Sequence, residues 1–154
     1  MELAENIDTA QKLQSDLYGE MTVAAHQVYQ FPQGLVGMSH LNKFALLPYE
    51  DTELFVLQAF QEDIGLLLLP AAMSGNNDGF YVDETIIAGL GVESSGEVIA
   101  FYILRFIDGQ PYVNLKAPII IVPNTQKGCQ YVLTDDSVSV RERLILAGEA
   151  DARS

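Results

Sequence analysis

Apolar residues along this chain gather in short runs separated by turn-forming residues. The stretches 44–49 (FALLPY), 53–58 (ELFVLQ), 64–70 (IGLLLLP), 97–107 (EVIAFYILRFI) and 129–134 (CQYVLT) are rich in aliphatic, aromatic and β-branched side chains. Runs of strand length, spaced by turn signals about every 8–12 residues, predict a sandwich or a barrel. The clearest hairpin is RFIDGQPYVNL (105–115), where Asp108-Gly109 supplies residues that tolerate positive φ. A second tight turn, Tyr18-Gly19-Glu20, joins LQSDLY to an expected strand at 21–31 (MTVAAHQVYQF). That strand would carry His26, with His40 in a loop.

The stretch YVNLKAPIIIVPN (112–124) combines both characters of the chain. A polar Asn-x-Lys leads into an unbroken Ile-Ile-Ile-Val run fenced by Pro118 and Pro123. The run predicts a buried strand in a barrel wall, and Pro118 can begin it because a first strand residue does without its N–H. Asn114 is then a strand-end residue whose amide satisfies nearby backbone groups. Helical signals occur twice. DETIIAGLG (83–91) has an acidic start, apolar Ile86, Ile87 and Leu90, and a terminal Gly91. The tail SVRERLILAGEADARS (139–154) has the pattern of a short amphipathic helix that frays after Gly148. The predicted class is mostly β: one small antiparallel barrel-like domain over residues 10–147 with one or two short helices. An acidic arm at 1–9, expected to be mobile, and a tail at 148–154 flank it, and SGNNDG (74–79) is a surface loop.

Charge changes this picture most. Eight basic residues face twenty-one acidic ones among 154, a formal net charge of −13. Such a chain repels phosphate backbones, which argues against direct nucleic-acid binding and for partners with basic or apolar surfaces. The longest apolar stretch, IGLLLLPAAM, is broken by Gly65 and Pro70, well short of the roughly 20 residues that span a bilayer as a helix. Glu2, Glu5 and Asp8 stand where a secretory signal would be basic and apolar, and Cys129 is the single cysteine. The expectation is a cytoplasmic protein with no membrane association.

Catalytic chemistry finds little support. His26, His40 and Cys129 have no ligand-like spacing, and Cys129, expected to open a strand, reads as a small core hydrophobe. SGNNDGFYVDET lacks both anchors of a calcium loop, with Ser74 and Thr85 at the positions that need carboxylates. Gly89-Leu90-Gly91 closes a helix, whereas a phosphate cradle precedes one. The pairs Glu50-Asp51, Glu62-Asp63 and Asp135-Asp136 fall at turn edges, where solvation leaves a carboxyl unsuited to acid–base work. No enzyme activity, metal or cofactor is expected.

Six motifs nevertheless fall in order: LYGEM (17–21), YQFPQGLVGM (29–38), KFALLPYED (43–51), LFVLQAF (54–60), VNLKAPIIIVPN (113–124) and CQYVLTDD (129–136). Together they resemble the FliW family of bacterial flagellar assembly factors over about residues 13–136. Two positions depart from that family's Gly-Leu-Pro-Gly-Phe segment: Val36 stands for the usual Pro and Met38 for the usual Phe. The resemblance implies a non-enzymatic β-barrel-like regulator. Such a protein binds flagellin in the cytoplasm and, once released, binds the basic RNA-binding repressor CsrA and antagonises it, so that flagellin mRNA is translated. It also marks Phe31, Gly34, Leu35, Gly37, Gln58, Asn114, Leu115, Lys116, Ala117 and Pro118 as motif or partner-contact candidates. Gly34 and Gly37 are read first as backbone-geometry residues, Gln58 as either core or contact, and Lys116 equally as the neutraliser of a nearby carboxylate. Two alternatives stay open: a barrel that holds a small apolar ligand, and a divergent member that binds flagellin only.

Overall fold

The computed structural model describes residues 11–15, 19–75, 80–92 and 97–144. The acidic arm at 1–9, Tyr18, loop residues 76–79 and the tail beyond Leu144 lie outside them. Strand β1 (Gln11–Ser15) pairs with β2 (Gly19–Val23) as a separate two-stranded sheet. The remaining strands are β3 (Val28–Gln30), β4 (Lys43–Pro48), β5 (Phe55–Ala59), β6 (Gly65–Pro70), β7 (Ile99–Ile107), β8 (Gln110–Val122), β9 (Lys127–Gln130) and the short β10 (Glu142–Arg143). They follow the order β10-β8-β7-β6-β5-β4-β3-β9, and an additional β8–β9 pairing closes the ring into a barrel. Closure removes the free edges that an open sheet exposes.

All barrel pairings are antiparallel except one. Strands β3 and β9 run parallel and share a single register pair, Gln30↔Lys127. This seam is reinforced by Gln126, whose backbone carbonyl accepts from Gln30 N at 2.8 Å. The Gln126 side-chain amide donates to Val28 O at 2.8 Å and also to Ala25 O.

Side-chain alternation builds the core. Phe44, Leu57, Ala59, Leu68, Phe101, Ile119 and Ile121 point inward and cluster with Tyr29, Phe31, Leu35 and Leu41. Phe31 meets Phe44 edge-on, with ring centroids 4.9 Å apart. Three outer layers cover the wall. The β1–β2 hairpin brings Leu13 and Val23 onto Val28, Ala45 and Leu47. Leu69, Tyr102, Leu104 and Val113 are covered by Ala71, Phe80, Leu115 and Leu144. Helix α1 (Glu84–Gly89) and its flanks set Leu90, Val82 and Val92 over Ile120 and Val122. The Ile-Ile-Ile-Val run is continuous because β8 is buried on both faces there, Ile119 and Ile121 by the barrel interior and Ile120 and Val122 by α1.

Strands β4 to β7, the Asp108-Gly109 turn (φ 52° and 80°) and α1 lie where the sequence predicts them. Asp83 caps α1, its carboxylate accepting from Thr85 N at 2.9 Å. Several expectations are corrected. The strand at 21–31 is broken by a 3-10 turn, Ala25–Gln27, so His26 sits in that turn. There Gln27 Oε1 accepts from Ala24 N at 2.9 Å. Strand β9 covers 127–130, not 129–134, and Cys129 is its third residue. Of the tail expected to be helical from Ser139, the described residues 139–144 form no helix and include β10, paired with Tyr112 and Val113. Pro118 lies inside β8 and does not start it, and Asn114 is an internal strand residue.

Candidate functional site

A proline inside a strand needs a local break in the ladder, because it cannot donate an N–H. β8 has one. Its register against β7 passes from Ile103↔Asn114 to Phe101↔Ile119, leaving residues 115–118 as a bulge. Asn114 organises it: its side-chain oxygen accepts from Lys116 N at 3.0 Å and Ala117 N at 3.1 Å. The expected role of that amide in satisfying nearby backbone groups is met, at a bulge instead of a strand end. The outward backbone groups are also paired. Leu115 N donates to Ser139 O at 3.0 Å, Tyr131 N to Pro118 O at 2.9 Å and Leu133 N to Lys116 O at 2.8 Å. This last pair explains why the chain past β9 leaves regular strand geometry: it follows the bulge.

Beside the bulge stands a tight turn, Leu35-Val36-Gly37-Met38, closed by Met38 N donating to Leu35 O at 2.9 Å. Gly37, with φ +77°, occupies the third turn position, which requires positive φ. Gly34 is needed for a different reason. It has φ +67°, and a Cβ there would lie 2.5 Å from the backbone oxygen of Ser39.

Gln130 joins turn and bulge. Its side-chain oxygen accepts from Val36 N at 2.8 Å, and its amide donates to Ala117 O at 3.3 Å. One glutamine of CQYVLTDD therefore fastens YQFPQGLVGM to VNLKAPIIIVPN. Sequence reasoning placed Gln130 in a motif but gave it no role, since a contact spanning 94 positions leaves no local signal.

Lys116 points outward, its Nζ 3.2 Å from both Asp135 O and Asp136 Oδ1. In the free protein it pairs a carboxylate. Ser137 donates to Asp135 through its hydroxyl and its backbone N–H, which with Lys116 holds the Asp135 carboxyl below its usual range. Cys129 is half-buried, and desolvation raises its thiol to about 11, unfit for a nucleophile near neutral pH. Among the described residues no group of three or more His, Cys, Asp or Glu converges as a metal site would require.

The ten candidates divide by exposure. Phe31, Gly34, Leu35, Gln58, Ala117 and Pro118 are buried, while Gly37 is exposed and Asn114, Leu115 and Lys116 are partly accessible. The bulge and turn come together; Gln58 stands apart on β5, donating to Ala59 O and Asp63 and filling the space left by Gly65. The turn, Asn114 and Gln130, the start of β6, the β7–β8 hairpin and residues 140–141 line a cleft of about 590 Å³.

The profile of the FliW protein family matches residues 12–144. The flagellar assembly factor FliW of Thermotoga neapolitana is 30% identical over 131 residues, covering 82% of this chain and 88% of its own. That of Leptospira interrogans (serovar Lai) is 28% identical over 139 residues, covering 87% and 93%. A crystal structure of the flagellar assembly factor FliW superposes with a TM-score of 0.81 at 24% identity, over 88% of this chain and 98% of that one.

Proposed function

This chain belongs to the FliW family of flagellar assembly factors, and from that premise we propose that it is a cytoplasmic, non-enzymatic regulator that exchanges two protein partners. Flagellin occupies it first. Once flagellin leaves, the protein binds the basic repressor CsrA, which releases its mRNA and allows flagellin translation.

The observation that carries this reading is the filled barrel. Phe31, Leu41, Phe44, Leu57, Leu68, Ile119 and Ile121 all reach 0% exposure in the interior. A barrel for a small apolar ligand needs that space open. What remains for recognition is the cleft beside the turn and the outer surface, whose net charge of −13 favours a basic partner over the RNA competing for it.

Gel filtration of the purified protein with CsrA and flagellin from the same organism tests the proposal. Co-elution with each at micromolar concentration is expected, and failure with both would reject it. Raising salt from about 50 to about 500 mM should slow association with CsrA by screening the steering field. A salt-independent on-rate would remove electrostatic steering from the mechanism.

A further inference from the structure

The cleft beside the bulge differs in character from the rest of this acidic molecule. Its lining mixes aliphatic side chains, Leu35, Met38, Leu66, Ile103 and Ile107, with the polar groups of Asn114 and Gln130. Two of its linings are cationic, Arg105 of β7 and Arg141 just before β10. Both arginines are exposed, and neither guanidinium has a hydrogen-bond or ion-pair partner among the described residues. Lys116, in the β8 bulge, already pairs Asp136. A guanidinium presents a planar fork of donors that matches a carboxylate, and two of them over an aliphatic floor select a ligand with both characters.

The apolar surface also extends past the cleft. Val36 and Val140 stand on its rim, 59% and 60% exposed. A small molecule seated between the arginines would leave such rim residues in water, whereas a polypeptide segment would cover them. A second copy of the chain would bring its whole net charge of −13 against this one, whereas an acidic segment brings only the few carboxylates that the two arginines can pair.

We propose that this cleft is the docking site for an acidic, apolar-anchored segment of a protein partner, with its aliphatic side chains on the cleft floor and its carboxylates on Arg105 and Arg141. The regulator reading enters only in taking the segment to belong to one of its partners. The site would give an acidic protein a local means of holding an acidic ligand, leaving the remaining surface for a basic one.

Two fluorescent synthetic peptides of equal length and leucine spacing, one carrying Glu and the other Lys, decide the matter by anisotropy. The Glu peptide should bind the wild-type chain through the arginines, whereas binding of the Lys peptide to the acidic surface should not weaken when the arginines are changed. The double variant Arg105→Glu/Arg141→Glu should weaken it by about tenfold or more, with an unchanged melting temperature. If that variant folds poorly, Arg105→Gln/Arg141→Gln serves instead. No binding of the Glu peptide, binding indifferent to the arginines, or a Lys peptide weakened as much by the variant would overturn the site. So would a wild-type dimer on gel filtration that the double variant dissolves, because the cleft would then hold a second copy. Wild-type protein that captures the Glu peptide yet neither flagellin nor CsrA would reject the regulator reading and leave the cleft standing.

Discussion

The two halves of β8 were built from one strand for different ends. From Ile119 to Val122 every residue is at most 1% exposed, sandwiched between the barrel interior and the layer around α1. From Leu115 to Pro118 the same strand leaves its register against β7, and its backbone is held by Asn114, Ser139, Gln130 and the chain after β9. The first half is stabilised by apolar area, which is undirected and tolerant of sequence. The second is stabilised by individual hydrogen bonds, each of which needs a particular group in a particular place. A shape-specific surface is easier to build from the second kind.

The contrast is broken most strongly in the apolar half. Ile121→Ala removes a fully buried side chain from the barrel interior. It should cost about 2–5 kcal/mol in denaturant unfolding, through lost transfer energy and the cavity left behind. A loss below about 1 kcal/mol would mean that the barrel collapses around the gap, and that the wall is less rigid than its packing implies.

In the polar half, Asn114→Ala leaves the N–H groups of Lys116 and Ala117 without their acceptor. The expected loss is about 1–3 kcal/mol. Asn114→Asp offers the sharper reading, because only the side-chain oxygen is used and a carboxylate supplies it. Stability recovered by Asp but not by Ala assigns the effect to bulge hydrogen bonding. Unchanged stability in the Ala variant with lost flagellin or CsrA binding would instead make Asn114 a contact residue.

Local chemistry made much of this fold legible. Strands β4 to β7, the Asp108-Gly109 turn and α1 each carry their own signal in a few consecutive residues. What escaped depends on distant partners. Within MTVAAHQVYQF only Gln27, which caps Ala24 N, holds the 3-10 turn at Ala25–Gln27, and the rest of its support comes from Gln126, about a hundred positions away. The period of SVRERL suits a helix, yet Glu142 and Arg143 complete the edge of β8 left open where β9 ends. Pro118 looked like a strand start because a proline seldom sits inside one, and the bulge that permits it exists only when β7 is alongside. The candidate site was legible as separate motifs, but the glutamine that assembles them was not.

Gln130→Ala tests that assembly directly. It deletes the acceptor for Val36 N and the donor to Ala117 O, and the partly exposed setting limits the cost to about 0.5–1.5 kcal/mol. Partner affinity should fall more than stability does, because turn and bulge would no longer hold a fixed relation. Equal losses in both would reduce Gln130 to an ordinary structural residue.

The smallest effect is the most diagnostic. Val36→Pro restores the residue usual in the resembled motif, at the second position of a turn that accepts proline there. Proline rigidifies the unfolded chain, worth about 0.4–1 kcal/mol, but it removes the N–H that Gln130 accepts. The two terms nearly cancel, and the net change in stability should stay within about 0.5 kcal/mol. Coupling separates them. In the Val36→Pro background, Gln130→Ala should cost less than in the wild type, because one of its two bonds is already gone. An undiminished cost would show that the bond to Val36 contributes nothing, and that the bulge is fastened through Ala117 alone.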